Sequence, residues 1–332
     1  MNSVAHNNIS IIHVPEKLNV RFGNEINTET LFCFDENKKF IQGITYPRRI
    51  EPIGMNQGSI QSLGKCEIKE DCFLYYSFDF QRSYAHYMTQ CVPKLKKYLE
   101  NKNKKIVVPS FYWNELTKDI FNILEIDKTK VLVLEPQIEY VFSNIEAVPH
   151  IGSGWDGVGG TINYDGVEIY KKLVDSFNHE SAQGKRIYLK RDGKSDNDHG
   201  NGEIGSTRKI ENEKSLIELL VKRNFEIVEM GCKPIRQKIN SFVGVEVVVS
   251  QIGANCMNFI FSKDVKNVLL LSNEQPIGKN YYFGLLDAMS KSTVNKSIFT
   301  FSSSKRNVDP KNSTNNPFFV NVDAVDEWIS KL

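Results

Sequence analysis

The sequence predicts an α/β protein built as two doubly wound domains, and three observations carry that prediction. Short apolar runs alternate with segments of helical spacing along most of the chain, the mark of parallel strands joined by helical crossovers. The 332 residues are too many for one small core and suit two domains of about 150 residues each. Gly152, Gly154, Gly157, Gly159, Gly160 and Gly166 interrupt the chain near its middle, at a density that suits the interior of neither helix nor strand. The expected division is an α/β domain over 1–150, a glycine-rich hinge over 151–166 and a second α/β domain over 167–332.

In the first domain the aromatic run FLYYSFDF, Phe73–Phe80, predicts a buried strand. It leads into a helix over Tyr84–Leu99, where Tyr84, Tyr87, Met88, Cys91, Val92 and Leu95 recur at helical spacing. The apolar runs at Ile106–Pro109 and Val131–Pro136 predict two strands flanking a helix that carries Leu116, Ile120, Phe121 and Leu124. All strands here are expected to be parallel.

The second domain repeats the alternation. A helix over Val167–His179 precedes a strand over Lys185–Arg191, and a polar Gly/Asp/Asn-rich loop over Asp192–Thr207 is expected to be mobile. Helices over Asn212–Arg223 and Pro234–Phe242 then alternate with strands over Phe225–Met230 and Val245–Gln251. A helix begins at Gly253, followed by a strand over Val265–Ser272 and a helix over Tyr282–Ser290. A closing helix over Val322–Leu332 packs Val325, Trp328 and Ile329, and no solenoid-like repeat occurs.

Composition removes several functional classes. Lys plus Arg number 42 against 40 Asp plus Glu, a net charge of +2, which supplies no strong field for nucleic acid or an anionic bilayer. Six scattered cysteines without a CxxC pair point to reduced thiols and a reducing compartment. Residues 1–20 lack a basic start followed by an apolar run, so no signal peptide is expected. No stretch of about 18 apolar residues occurs, so the protein is expected to be soluble or peripheral.

Two such domains joined by a hinge would turn their strand ends toward a cleft, where ligands bind such sheets. The best-formed candidate is Val247–Phe261, VVVSQIGANCMNFIF: an apolar strand, the turn Ser250-Gln251-Ile252-Gly253-Ala254-Asn255, then a helix. Gly253 and Ala254 would let a ligand approach the backbone, and the helix N-terminus suits a phosphate. The same small residues would also serve close helix–strand packing. Arg191 ends a strand and Arg208 lies across the polar loop. Both suit bidentate grip of a diphosphate, with surface ion pairing as the alternative. His86, in the first helical turn after the aromatic strand, suits a general base, or a helix-start histidine satisfied by a backbone carbonyl. Asp196-Asn197-Asp198-His199 has a DxD spelling but lies in the polar loop. No HExxH, GxSxG or P-loop pattern occurs, and no metal is expected.

These segments, in this order, carry a resemblance. RSYAHYMTQCVPKL (Arg82–Leu95) resembles the first-domain motif of glycosyltransferase family 61. RIYLKR (Arg186–Arg191), the stretch Arg208–Val228 and VVVSQIGANCMNFIF resemble three consecutive motifs of its second domain. The likeness covers about Leu74–Leu95 and most of Arg186–Ser290. It implies two Rossmann-like domains facing a cleft, the GT-B type, in an inverting, generally metal-independent enzyme. The co-substrate would be a nucleotide sugar, commonly a UDP-sugar, held by the second domain, and the first domain would hold the acceptor.

Carried over residue by residue, Arg191 and Arg208 match the motif arginines. Gly253, Ala254 and Asn258 match the Gly-Ala turn and its following asparagine, with Asn255 in the same turn, and His86 matches the first-domain histidine. Three positions depart. Ile252 stands where the family commonly has His, Gln90 where it has an acid, and Leu270 where it has Glu; Glu274 is the nearby substitute for that Glu. Because Gln90 cannot act as a base, the role moves to His86 or to an acid such as Asp156. The expected reaction is in-line displacement at the anomeric carbon, moving a hexosyl or pentosyl group to a hydroxyl of a glycan or lipid-linked saccharide in surface-polysaccharide assembly. The expected location is the cytoplasm, with the inner face of the membrane as an alternative. A second reading is an inactive member that binds a glycan or nucleotide without turnover. A two-domain sugar-nucleotide epimerase would need facing carboxylates across the hinge, which the sequence does not offer.

Overall fold

The computed structural model describes residues 3–14, 30–39, 41, 62–76, 84–148, 164–177, 183–191, 209–231, 233–273, 279–302 and 317–332. The chain forms two compact units, Met1–Ser153 and Gly154–Leu332. No described helix is long and apolar enough to cross a membrane.

The first unit contains β1 (Val4–Val14), β2 (Thr30–Phe34), β3 (Gly64–Leu74), β4 (Lys105–Pro109), β5 (Val131–Leu134) and β6 (Ile138–Ala147) in one sheet of order β2-β1-β6-β3-β4-β5. β3, β4, β5 and β6 are mutually parallel, but β1 runs antiparallel to β2 and β6. The all-parallel expectation is thus corrected. β1 and β6 escape an apolar-run search for a physical reason. β1 is exposed and polar over its first half, and β6 buries Tyr140, Phe142, Ile145 and Ala147 between partly exposed residues. β3 carries a bulge between Ile68 and Asp71, and at the same level Asn8 of β1 has φ 52, so the long strands bend together. Only residues 135–137 join β5 to β6. Gln137 N–H donates to the His13 carbonyl at 2.8 Å and Leu63 N–H to the Gln137 carbonyl at 2.7 Å. Such a short link requires the sheet to curl, bringing the end of β5 to the start of β6.

The expected helix over Tyr84–Leu99 changes pitch three times. It runs as α1 (Tyr84–His86), a π-helical turn (Tyr87–Cys91), a 3-10 turn (Val92–Lys94) and α2 (Leu95–Glu100). Pro93 has no N–H to bond four residues back and its ring crowds the preceding turn, so a regular helix cannot continue through it. α3 (Glu115–Ile123) is capped by Asn114, whose side chain accepts from Thr117 N–H at 3.0 Å. The expected strand at Phe73–Phe80 corresponds to the end of β3. Tyr75 N–H still donates to the Val107 carbonyl at 2.9 Å, and residues 77–80 lie outside the described residues.

The second unit is a parallel sheet of five strands, four of which its apolar runs predict; the edge strand over Asn295–Phe301 is the one they do not. β7 (Lys185–Lys190), β8 (Phe225–Glu229), β9 (Val245–Gln251), β10 (Asn267–Asn273) and β11 (Asn295–Phe301) lie in the order β11-β10-β9-β7-β8. Counted within the unit from the β8 edge, the order is 2-1-3-4-5, a doubly wound arrangement. α4 (Tyr164–Asp175) begins three residues before the expected Val167 and so takes in the end of the span expected as hinge. α5 (Glu213–Lys222), α6 (Ile235–Phe242), α7 (Lys279–Met289) and α8 (Val322–Ile329) complete the unit. One face of the sheet presents Tyr188, Val247, Val249, Leu269 and Leu271 to Leu216 and Leu220 of α5 and to Val325 and Ile329 of α8, all buried. The chain before α8 is fastened to the chain before α5. Asn212 Nδ2 donates to the Val320 carbonyl at 2.8 Å, and its Oδ1 accepts from Val320 N–H at 2.9 Å. Arg223 grips Asp326 with two bonds of 2.6 and 2.9 Å.

Candidate functional site

A doubly wound parallel sheet opens a crevice at the carboxyl ends of the two strands from which the crossovers leave in opposite directions. In the second unit β7 passes to β8 on one side and the chain returns on the other side as β9. The crevice therefore lies between the ends of β7 and β9. Arg191, half-buried, follows β7 directly, and Gly253 lies two residues beyond β9. Asn255 spans the gap, its Nδ2 donating to the Lys190 carbonyl at 3.2 Å. Asn258, only 1% exposed, fixes Asn255 in turn, donating from Nδ2 to its carbonyl at 2.8 Å and to its Oδ1 at 3.1 Å. Gly253 has φ 152 and ψ −164, a region essentially confined to glycine. Its identity is therefore set by the backbone and not by close packing alone. Ile252 N–H donates to the Leu271 carbonyl at 2.9 Å, fastening the turn to β10.

The segment after Gly253 is a 3-10 helix, Ala254–Phe261, where the sequence suggests an ordinary helix. The Asn258 side chain takes the Asn255 carbonyl, which an α-helix would bond to the main chain four residues on, and such local side-chain competition disfavours α-helical pitch. Of Ala254 only the backbone is described. Lys190 turns its ammonium outward to Glu229 Oε1 at 2.6 Å and leaves its carbonyl to Asn255. Ile252 and Leu270, the two apolar departures, are 4% and 0% exposed. Sequence reasoning counted Ser250 and Gln251 in the turn without a role and passed over Ser272 and Asn273; all four are buried polar residues at the ends of β9 and β10, and their position in the last two places of apolar strands was the available signal. Arg208, Glu274, Asp156 and the loop 192–207 lie outside the described residues.

The first unit has its own crossover reversal between β3 and β6, whose ends meet at Leu74 and Ala147. His86 ends α1 on the connection leaving β3; its backbone is described and its side chain is not. The next residue, Tyr87, is held on two sides: the Tyr75 hydroxyl donates to the Tyr87 hydroxyl at 2.8 Å, and Thr117 Oγ1 lies 2.7 Å from it. Burial raises both phenols well above the usual range and pushes the Cys91 thiol up to about 12. Gln90 is fully buried in the same π-helical turn. Lys94, only 2% exposed, was missed by sequence reasoning. Its spacing with Tyr87, Cys91 and Tyr98 puts it on the apolar stripe, which was the signal.

Among the described residues no group of three or more His, Cys, Asp or Glu could hold a metal ion. A family model described as Glycosyltransferase 61 matches residues 80–269, 190 of the 332 positions. No curated protein matches the chain.

Proposed function

The chain belongs to glycosyltransferase family 61, and from that premise we propose an inverting, metal-independent transfer of a hexosyl or pentosyl group from a nucleotide sugar, UDP-linked for preference. The acceptor is a hydroxyl of a glycan or lipid-linked saccharide, as in cytoplasmic assembly of a surface polysaccharide. In this reading the two units are the halves of a GT-B enzyme, the first serving the acceptor and the second the donor.

The observation that carries the donor half is the crevice between β7 and β9, with Arg191 on one lip, the Gly253 turn on the other and Asn255 bonded across. Arg191, Arg208 and the N–H groups opening the 3-10 helix are suited to the charge that grows on a departing diphosphate. Asn255, Asn258 and Glu274 would shape the nucleotide side. At the acceptor, His86 takes the hydroxyl proton as the new oxygen–carbon bond forms. The bond from the anomeric carbon to the phosphate oxygen breaks, and its electron pair leaves with the nucleotide.

A thermal-shift series with UDP, GDP and CMP tests this, because a ligand bound only by the folded chain raises its melting temperature. A shift selective for UDP, lost in Arg191→Ala and Arg208→Ala, is expected. With the matching sugar donor, turnover in Arg208→Ala should fall by more than about tenfold, as on loss of an oxyanion donor. No shift with any nucleotide would remove the donor assignment. The buried apolar residues Ile252 and Leu270 favour one second reading, an inactive member that binds without turnover. A nucleotide shift with no release of sugar from any donor would select it.

A further inference from the structure

We propose that Lys94 is a positioning residue: from inside the first unit it closes the stretch that carries His86 and so gives that turn a single placement. Its Nζ donates to the Tyr76 carbonyl at 2.5 Å, two residues beyond the end of β3. This one bond joins the two ends of the segment 77–93, which contains α1 and the π-helical turn. Within the segment Tyr87, adjacent to His86, is tied to Tyr75 and Thr117, and Tyr75 is itself fastened to β4 through Val107. His86 is therefore followed by a ring held on two sides, and the stretch that carries it is tied at its far end by Lys94 to Tyr76.

A lysine kept only to fill space would be the wrong residue here. It is 2% exposed, and among the described residues no carboxylate pairs with it. Burial accordingly lowers its amine to about 8, with nearby Cys91 opposing the shift. Methionine would fill a similar volume without burying a charge. What methionine cannot supply is the donor that holds Tyr76. A π-helical turn directly after His86 is a further departure from the regular ladder of a kind frequent at functional sites.

The inference rests on the reading of the His86 turn as catalytic, which loss of turnover in His86→Ala tests separately. The placement itself is read without substrate, from the ring signals of the full chain labelled at histidine, with His86 assigned through His86→Gln. In Lys94→Met the His86 ring signals should shift or split and its titration midpoint should move, while those of His6 stay in place. Lys94→Gln, which keeps a shorter polar side chain, should do the same and serves if the methionine variant does not fold. Leu95→Ala, a core lesion at the next residue that leaves the Lys94 donor intact, should destabilise the protein without moving His86. Unmoved His86 signals in a folded Lys94 variant, or an equal displacement in Leu95→Ala, would overturn the proposal.

Discussion

His13 shows how one side chain can set the acid limit of a fold. It is fully buried where the curled sheet of the first unit meets itself, with Nδ1 3.3 Å from Ser110 Oγ and its ring 5.0 Å from that of Phe111. Burial lowers its pKa to about 4, against a smaller opposing effect of the Leu134 backbone. Between that value and about 6.5 the unfolded chain binds a proton that the folded chain does not. Stability should therefore fall as pH drops from about 6.5 to about 4, by on the order of 3 kcal/mol. Denaturant melts of wild type and His13→Phe across that window check this. The variant should lose much of the slope, and an unchanged slope would assign acid lability to other groups. Ile11, Ile12 and Val14 set His13 in an apolar run, but the sequence does not show what encloses it, because Ser110, Phe111 and Pro136 arrive only through the curl.

At the scale of elements, the reach of sequence reasoning follows from which faces are covered. β9 and β10 are buried on both sides and read as VEVVVSQ and NVLLLSN, so their ends, and with them the Gly253 turn, could be placed from sequence. β6 and the edge strand β11 carry polar residues at exposed positions, and no run marks them; β1 is polar over its first half, and its apolar second half, Ile9–Val14, was passed over. The π-helical turn was also invisible, because helical spacing of Tyr84, Tyr87, Met88 and Cys91 holds within either pitch over so short a span. The Arg191–Gly253 pairing was half legible: both residues could be named, but only the strand order shows that they flank one crossover reversal. The fastening of the C-terminal segment was hidden altogether, since Asn212 and Val320 are 108 residues apart. Asn212→Ala removes both of its bonds to Val320 and should cost about 1–3 kcal/mol, measured by urea melts. A loss below about 0.5 kcal/mol would mean that α8 and the Arg223–Asp326 pair hold the segment without it.

For the whole molecule, the matched stretch 80–269 begins in the connection after β3 and ends inside β10, so it takes in part of each unit. β1, β2 and β3 of the first sheet lie beyond it, as do β11 and α8 of the second unit and the Val320 and Asp326 side of the C-terminal fastening. Each unit nevertheless has its own sheet and its own buried core, and the proposed donor half needs only residues of the second. A fragment spanning 154–332 should therefore fold alone, by circular dichroism and a cooperative melt, and should retain the UDP-selective shift that a fragment spanning 1–153 lacks. A folded second fragment indifferent to UDP would move the nucleotide away from the β7–β9 crevice.

Three of the fastenings share a trait. Lys94 grips the carbonyl of Tyr76, Lys238 those of Met230 and Gly231 at 2.7 and 2.6 Å, and Asn255 that of Lys190. In each case a side chain holds a main-chain oxygen at the end of a strand or just past it. Every amino acid carries that oxygen, so these bonds demand a particular side chain of the donor and none of the acceptor. Along a lineage, these bonds survive exchanges at residues 76, 190, 230 and 231, whereas a single exchange at 94, 238 or 255 releases one. The constraint on the sequence is therefore one-sided, borne by three polar side chains on behalf of the loops they hold.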